Sequence, residues 1–488
     1  MTRSRGTGAT ASNVLATAIA ASVSFGSGCS SRPAVDPSRP AQVVAAVPAS
    51  GAPAGSRDDA ASLPPATPLQ GSSGNRIGPK GRALVARMVK RVEAARGLQA
   101  KKEVPGVVLE RTDLIGRVRA HVAKEVPPQA ITNEGNVLKI FGFVPTSYDY
   151  LGGTFKMLES QLAGYYEPAD GTMYMAGDLD EDTATATLAH ELVHALQDQF
   201  WDLKSQSHYE PGKSDASSAR SALAEGDATS AMSDVMLALS EQGGDSLALP
   251  DDRVGDLMMA GVMASDDGAP DVMKRGLVAP YIDGMKFVNA LRRKGGWRAV
   301  DAAWASKPTT TEQILHVDKW LAHEAALPVP VPAPDVLGSG YTAIDTDSLG
   351  ELGVRLMFEQ WMDVPTAKVH AANWGGDASV LAGDGDRRAL LVRVRYDAAA
   401  KDRAAHAKGA WASLEAKLPK RLGAPKLRDP SNLLCFERPE VGPLVVARRD
   451  RDLIVVAGPT TVAAKGPWSP AGTCDRARAI LDAMAATK

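Results

Sequence analysis

The stretch TLAHELVHALQDQ, residues 187–199, sets His190 and His194 four residues apart, with Glu191 directly after the first. Only eight histidines occur in the 488 residues, and chance places such a pattern in a chain of this content roughly 0.01 times. Leu188, Leu192, Ala195, Leu196 and Gln199 recur at three- and four-residue steps, which predicts a helix. Acids and a Thr ahead of it, in DLDEDTATA, suit a helix N-terminus. On that helix the two imidazoles stand about 40° apart and share a face, while Glu191 is turned about 100° from His190. This is H-E-x-x-H, which reads as two zinc ligands and a general base. The apolar flanks put the helix in the interior, where two unpartnered imidazoles would be destabilising.

A catalytic zinc takes three protein ligands and keeps one open position. The extension H-E-x-x-H-x-x-G-x-x-H is absent, because Gln197 and Phe200 occupy the relevant positions. Downstream, SALAEGDATSAM carries Glu225 among small residues that let one helix approach another. A solvent-exposed helical acid is the competing reading of Glu225.

His190-Glu191-x-x-His194 followed by Glu225-Gly226-x-Ala228 resembles the gluzincin group of zinc metallopeptidases, the thermolysin-like family. QLAGYYEPADGTMYM, PTTTEQILHVDKW and, more faintly, NWGGD at 373–377 are similar to segments of uncharacterised bacterial envelope proteins with a peptidase-like domain. The resemblance spans about residues 105–320. It implies one Zn2+ per chain held by His190, His194 and Glu225, with Glu191 as the base that activates the zinc-bound water for peptide-bond hydrolysis. Tyr281 and His316 are the candidates for oxyanion stabiliser, each with a rival reading as a packed or capping residue. The family carries an Asp four residues after the ligand Glu, where this chain has Thr229. Asp198 or Asp227 is therefore expected to orient the histidines. GTMYMAG, residues 171–177, reads as a strand, either an ordinary core strand or, as the resemblance implies, the sheet edge that pairs with an extended substrate. Tyr165 and Tyr166 read as core.

Working outward, helices are expected over GRALVARMVKRVEAARGLQAKK, TDLIGRVRAHVAKEV, residues 214–239 and YIDGMKFVNALRRKGG. Residues 326–340, ALPVPVPAPDVLGSG, mark an internal break. Beyond it follow a helix (ELGVRLMFEQWM), a strand (ALLVRVRYD), a helix (AAHAKGAWASLEAKL), strands SNLLCFERP and PLVVARRDRDLIVVAG, and a terminal helix. The expected fold class is α+β: a mainly helical zincin-like domain with a small sheet at 79–325, then a smaller α+β domain at 341–488.

At the N-terminus, Arg3 and Arg5 precede a short apolar run ending at Cys29. This predicts a signal peptide over 1–29, and GSGC resembles the lipobox of bacterial lipoproteins, although Gly26 stands where Leu is usual. Residues 30–78, rich in Pro, Ala, Ser and Gly, read as an extended tether. Export to the cell envelope with a lipid anchor at Cys29 follows, with simple secretion as the alternative. Cys435 and Cys474 are able to pair in such a compartment, with two buried thiols as the other reading. A net charge of −2 argues against a nucleic-acid partner. A peptide or protein substrate is expected. A non-catalytic binding lipoprotein on a zincin scaffold and a zinc amidase acting on peptidoglycan are the alternatives.

Overall fold

The computed structural model describes residues 78–206, 208–240, 243–429, 432–463 and 467–486, together with the backbone of Ser24–Phe25. The rest of the expected leader, Cys29 and the tether to residue 77 lie outside the described residues. The architecture is α+β, a largely helical region followed by a large sheet.

The first part contains β1 (Ser24–Phe25), α1 (Pro79–Arg96), β2 (Gly106–Leu109), α2 (Arg111–Glu125), α3 (Pro128–Phe141) and α4 (Tyr150–Gln161). It continues with β3 (Leu162–Glu167), β4 (Thr172–Ala176) and α5 (Glu181–Trp201). The sheet order is β1-β3-β4-β2, with β2 and β4 parallel and the other pairs antiparallel. Alternation along the strands divides its side chains between two faces. Tyr165 and Tyr174 pair in register under α2 and α4, while Tyr166, Met173 and Met175 face α1 and α5. Both tyrosines of the Tyr165–Tyr166 pair are core, as expected. GTMYMAG is not an edge: β4 lies between β3 and β2, and Met173 through Ala176 are buried. Side chains burying both faces of a strand suit an interior position.

Helices α6 (Ser214–Leu239), α7 (Asp251–Met263), α8 (Asp271–Gly295), α9 (Trp297–Ala305), α10 (Thr311–Leu315) and α11 (Val317–Leu321) follow. The expected third helix starts ten residues earlier than YIDGM implied and runs through Pro280. Burial of Val272, Met273, Gly276 and Leu277 at helical steps outweighs the backbone hydrogen bond that the proline removes. α6 and α8 run side by side in the same direction, Ala222 and Gly226 meeting Gly284, and Ser230 bonding Asn289.

The second part comprises β5 (Thr342–Asp347), α12 (Gly350–Trp361), α13 (Val364–Ala371), β6 (Trp374–Asp384), β7 (Arg387–Tyr396) and α14 (Ala405–Leu422). It ends with β8 (Leu427–Asp429), β9 (Leu433–Arg438), β10 (Gly442–Arg449), β11 (Asp452–Thr461), β12 (Ser469–Pro470) and α15 (Cys474–Ala486). The sheet order is β5-β6-β7-β11-β10-β9-β8, with β12 on β11. PLVVARRDRDLIVVAG, read as one strand, is a hairpin that turns at Asp450, whose φ is 51°. Strands β5 and β6 had no counterpart in the sequence reading.

One face of this sheet packs with α12 and α14, and Val137, Ile140 and Phe141 of α3 enter the same cluster. The other face packs on α15, where Cys435 and Cys474 form a disulfide. The break at 326–340 is anchored rather than free, since Leu327 N donates to Gly375 O at 2.6 Å. Carboxylates tie the two parts together. Asp347 accepts from Ser214 N at 3.1 Å, Asn133 donates to Asp345 at 3.2 Å, and Leu352 N donates to Thr311 Oγ1 at 3.1 Å.

Candidate metal centre

Helix α5 begins with Asp180 accepting from Thr183 N and is buried from Thr187 through Gln197. It packs between the small sheet on one side and α1 and α6 on the other. Helix α6 brings Glu225 against it, and α8 brings Tyr281.

The three expected ligands converge. His190 Nε2 lies 3.1 Å and His194 Nε2 3.4 Å from Glu225 Oε2, and the two Nε2 atoms are 3.0 Å apart. All three residues are buried. A tetrahedral zinc with ligands at about 2.0–2.1 Å separates its ligand atoms by about 3.3 Å, so this triangle has the size of one face of such a site. Two imidazole nitrogens and one carboxylate oxygen are also the donor types that zinc prefers. The residues fit the ion. Sequence reasoning left Glu225 between ligand and surface acid; at 0% exposure it is no surface residue.

Electrostatics match this arrangement. Burial pushes the His190 imidazolium down despite the neighbouring carboxylate, leaving a neutral ring. Burial disfavours the charge of Glu225, but the His194 and His190 rings outweigh it and hold the carboxyl below its usual range. At His194 burial is overcome by Glu225, Glu191 and Gln197, which raise its pKa to about 9.

Glu191 is fully buried, and its charge is felt at both His194 and Tyr281. Tyr281 stacks on His190 with ring centroids 5.9 Å apart. Burial first, then the Glu225 and Glu191 carboxylates, push its phenol well above the usual range, so it remains a hydroxyl donor. His316 lies in the turn between α10 and α11, where its Nε2 is 3.0 Å from Glu351 Oε1.

Neither expected orienter touches a histidine. Asp198 accepts from Tyr166 at 2.9 Å, and Asp227 is bound by Arg96 at 2.5 Å and Trp304 at 2.8 Å. Asp198 lies one turn beyond His194 but is taken up by Tyr166, and Asp227, two residues after Glu225, is turned to the other side of α6. Thr229, at the position where the gluzincins that the sequence resembles carry Asp, is buried with its hydroxyl unbonded. The residue that does bond a ligand is Gln197, 2.8 Å from His194 Nδ1. Its i+3 spacing from His194 is the signal that the sequence carries for it.

A second group of carboxylates, Glu312, Glu324 and Asp397, surrounds the Lys319 ammonium at 2.5, 2.9 and 2.7 Å. That position is filled by a side chain.

No curated protein and no solved structure matches the chain. Residues 339–466 match a sequence family described as a domain of unknown function, DUF8575, which spans β5 through β11 and leaves the metal-binding candidates outside it.

Proposed function

We propose that the protein is a zinc-dependent metallopeptidase of the bacterial cell envelope, with a zincin-like arrangement of α5 and α6 presenting one ion per chain. The observation that carries this reading is the buried triangle of His190 Nε2, His194 Nε2 and Glu225 Oε2 with edges of 3.0–3.4 Å. When bound, the ion supplies Lewis acidity toward a water and a scissile carbonyl. Glu191 takes the proton of the attacking water and delivers it to the leaving amine. Tyr281, held protonated against His190, donates a hydrogen bond to the oxygen on which negative charge develops.

Export is supported by the leader pattern and by the Cys435–Cys474 disulfide, since such bonds persist in oxidising compartments. Lipidation at Cys29 rests on GSGC. In that reading Ser24–Phe25 leaves with the leader.

Zinc content and hydrolysis of casein, a peptide library and peptidoglycan, measured on wild type and Glu191→Gln, test the reading. Glu191 is not a ligand, so the variant is expected to keep its metal and lose about 10²–10⁴ in rate. Full zinc with no hydrolysis by wild type would point instead to a binding scaffold. Equal hydrolysis by both proteins would remove Glu191 from the mechanism.

A further inference from the structure

Gln197 is wholly buried one turn after His194, and its two amide atoms face different helices. Oε1 lies 2.8 Å from His194 Nδ1, and Nε2 donates to Ala224 O at 2.9 Å. Ala224 immediately precedes Glu225. We propose that Gln197 is the positioning residue of the metal centre, a single amide that fixes the His194 ring and ties α5 to the backbone beside Glu225. This rests on the metal reading above.

The orientation follows from donor and acceptor rules. A backbone carbonyl only accepts, so the amide NH2 must face Ala224 O and the amide oxygen must face His194. Nδ1 of His194 therefore carries the proton and donates it to Oε1. Nε2 is left as the ligating atom, turned toward His190 Nε2 and Glu225. Hydrogen bonds of this kind from the second ring nitrogen hold ligand histidines in one orientation and raise their basicity. Here the same side chain also sets the distance between the two helices that carry the ligands. Asp198, one residue further, points to Tyr166 and takes no part.

Two substitutions separate the roles of the two amide ends. Gln197→Met removes both bonds at similar length. Gln197→Glu keeps an acceptor for His194 Nδ1–H but sets a carboxylate oxygen against Ala224 O, so the tie to α6 is lost. Zinc affinity, measured by chelator competition on the full chain, is expected to fall about 10–100-fold in Gln197→Met. In Gln197→Glu it is expected to fall between wild type and Gln197→Met, because the acceptor for His194 remains while the tie to Ala224 O is lost. In the zinc-loaded protein the His194 Nδ1–H proton is expected to be slow to exchange in NMR spectra of wild type and Gln197→Glu, and fast in Gln197→Met. Tight zinc binding by wild type that Gln197→Met leaves unchanged would overturn the role while sparing the metal site. If Gln197→Met does not fold, a His194 Nδ1–H that exchanges rapidly in the zinc-loaded wild type overturns the role equally. A wild-type chain that takes up no zinc would overturn the metal reading and this role with it.

Discussion

Gly226 and Gly284 touch backbone to backbone: a Cβ on Gly226 would stand 2.0 Å from the Gly284 carbonyl carbon, and one on Gly284 1.9 Å from Ala222 O. Gly226 directly follows Glu225, and Gly284 lies one turn after Tyr281. The sequence suggested that small residues bring α6 toward α5, yet its glycine serves the contact with α8. Gly226→Ala is expected to push α6 and α8 apart at a cost of about 1–3 kcal/mol or more, and to weaken zinc binding because Glu225 moves with the backbone. Denaturant midpoints and a zinc titration check this; an unchanged midpoint would contradict the close approach.

Loss of the third ligand has a sharper signature. Glu225→Ala is expected to cut zinc occupancy strongly, whereas Glu210→Ala, which only removes a half-buried partner of Arg220 and His208, is expected to leave it intact. Elemental analysis of the two purified proteins decides between ligand and bystander.

Beneath α6, Arg96 and Asp227 form an ion pair with both side chains at 0% exposure, and Arg96 also reaches Asp301 at 2.8 Å. Removing one member of such a pair strands a buried charge and costs about 3–5 kcal/mol. Arg96→Met is expected to show that loss in urea unfolding. Arg96→Met combined with Asp227→Asn is expected to recover part of it, because Asn still accepts from Trp304. A double variant as unstable as the sum of the two single ones would place the effect outside the pair.

The seam between the two parts of the chain predicts the pH dependence of stability. Burial raises Asp215 and Asp345 to about 7 and Asp347 to about 6, with no Lys or Arg among the groups that act on them. Folded-state values above the unfolded one mean that folding takes up protons. The contribution is complete below about pH 4 and is lost as pH rises through 6 to 7, by up to about 1.4 kcal/mol per pH unit for each group. Unfolding midpoints should therefore fall between pH 5 and pH 8. Asp215→Asn, whose amide oxygen still accepts from Thr311, is expected to flatten that slope; an unaltered slope would clear Asp215 of the effect.

Much of this molecule was legible in its letters. Helix α6 has the limits expected for it, Ser214–Leu239, because its alanines and leucines leave few alternatives. His190, Glu191 and His194 announced themselves by spacing alone. What failed were readings that depend on partners distant in sequence. Strand β6, WGGDASVLAGD, is full of residues that favour turns, and it becomes a strand only because β5 and β7 flank it and Leu327 covers Gly375 and Gly376. Asp198 and Asp227 had suitable chemistry and proximity in sequence, but the Tyr166 hydroxyl takes up Asp198, and helix phase turns Asp227 to Arg96. Tyr281 entered by resemblance, and only the α6–α8 contact explains why it lies over His190.

The cluster shared by α3 and the large sheet gives the 339–466 match an unexpected meaning. A recurring sequence unit is usually taken to be an independent folding unit, and this one has neither a closed interior nor a complete covalent frame. Cut out at those limits, it would leave Phe358, Trp361 and Trp374 without the cover of Ile140 and Phe141, and Cys435 without Cys474. The boundary of inheritance runs through the middle of a core. Residues 339–466 taken alone would therefore present to solvent the apolar face that α3 covers in the whole chain.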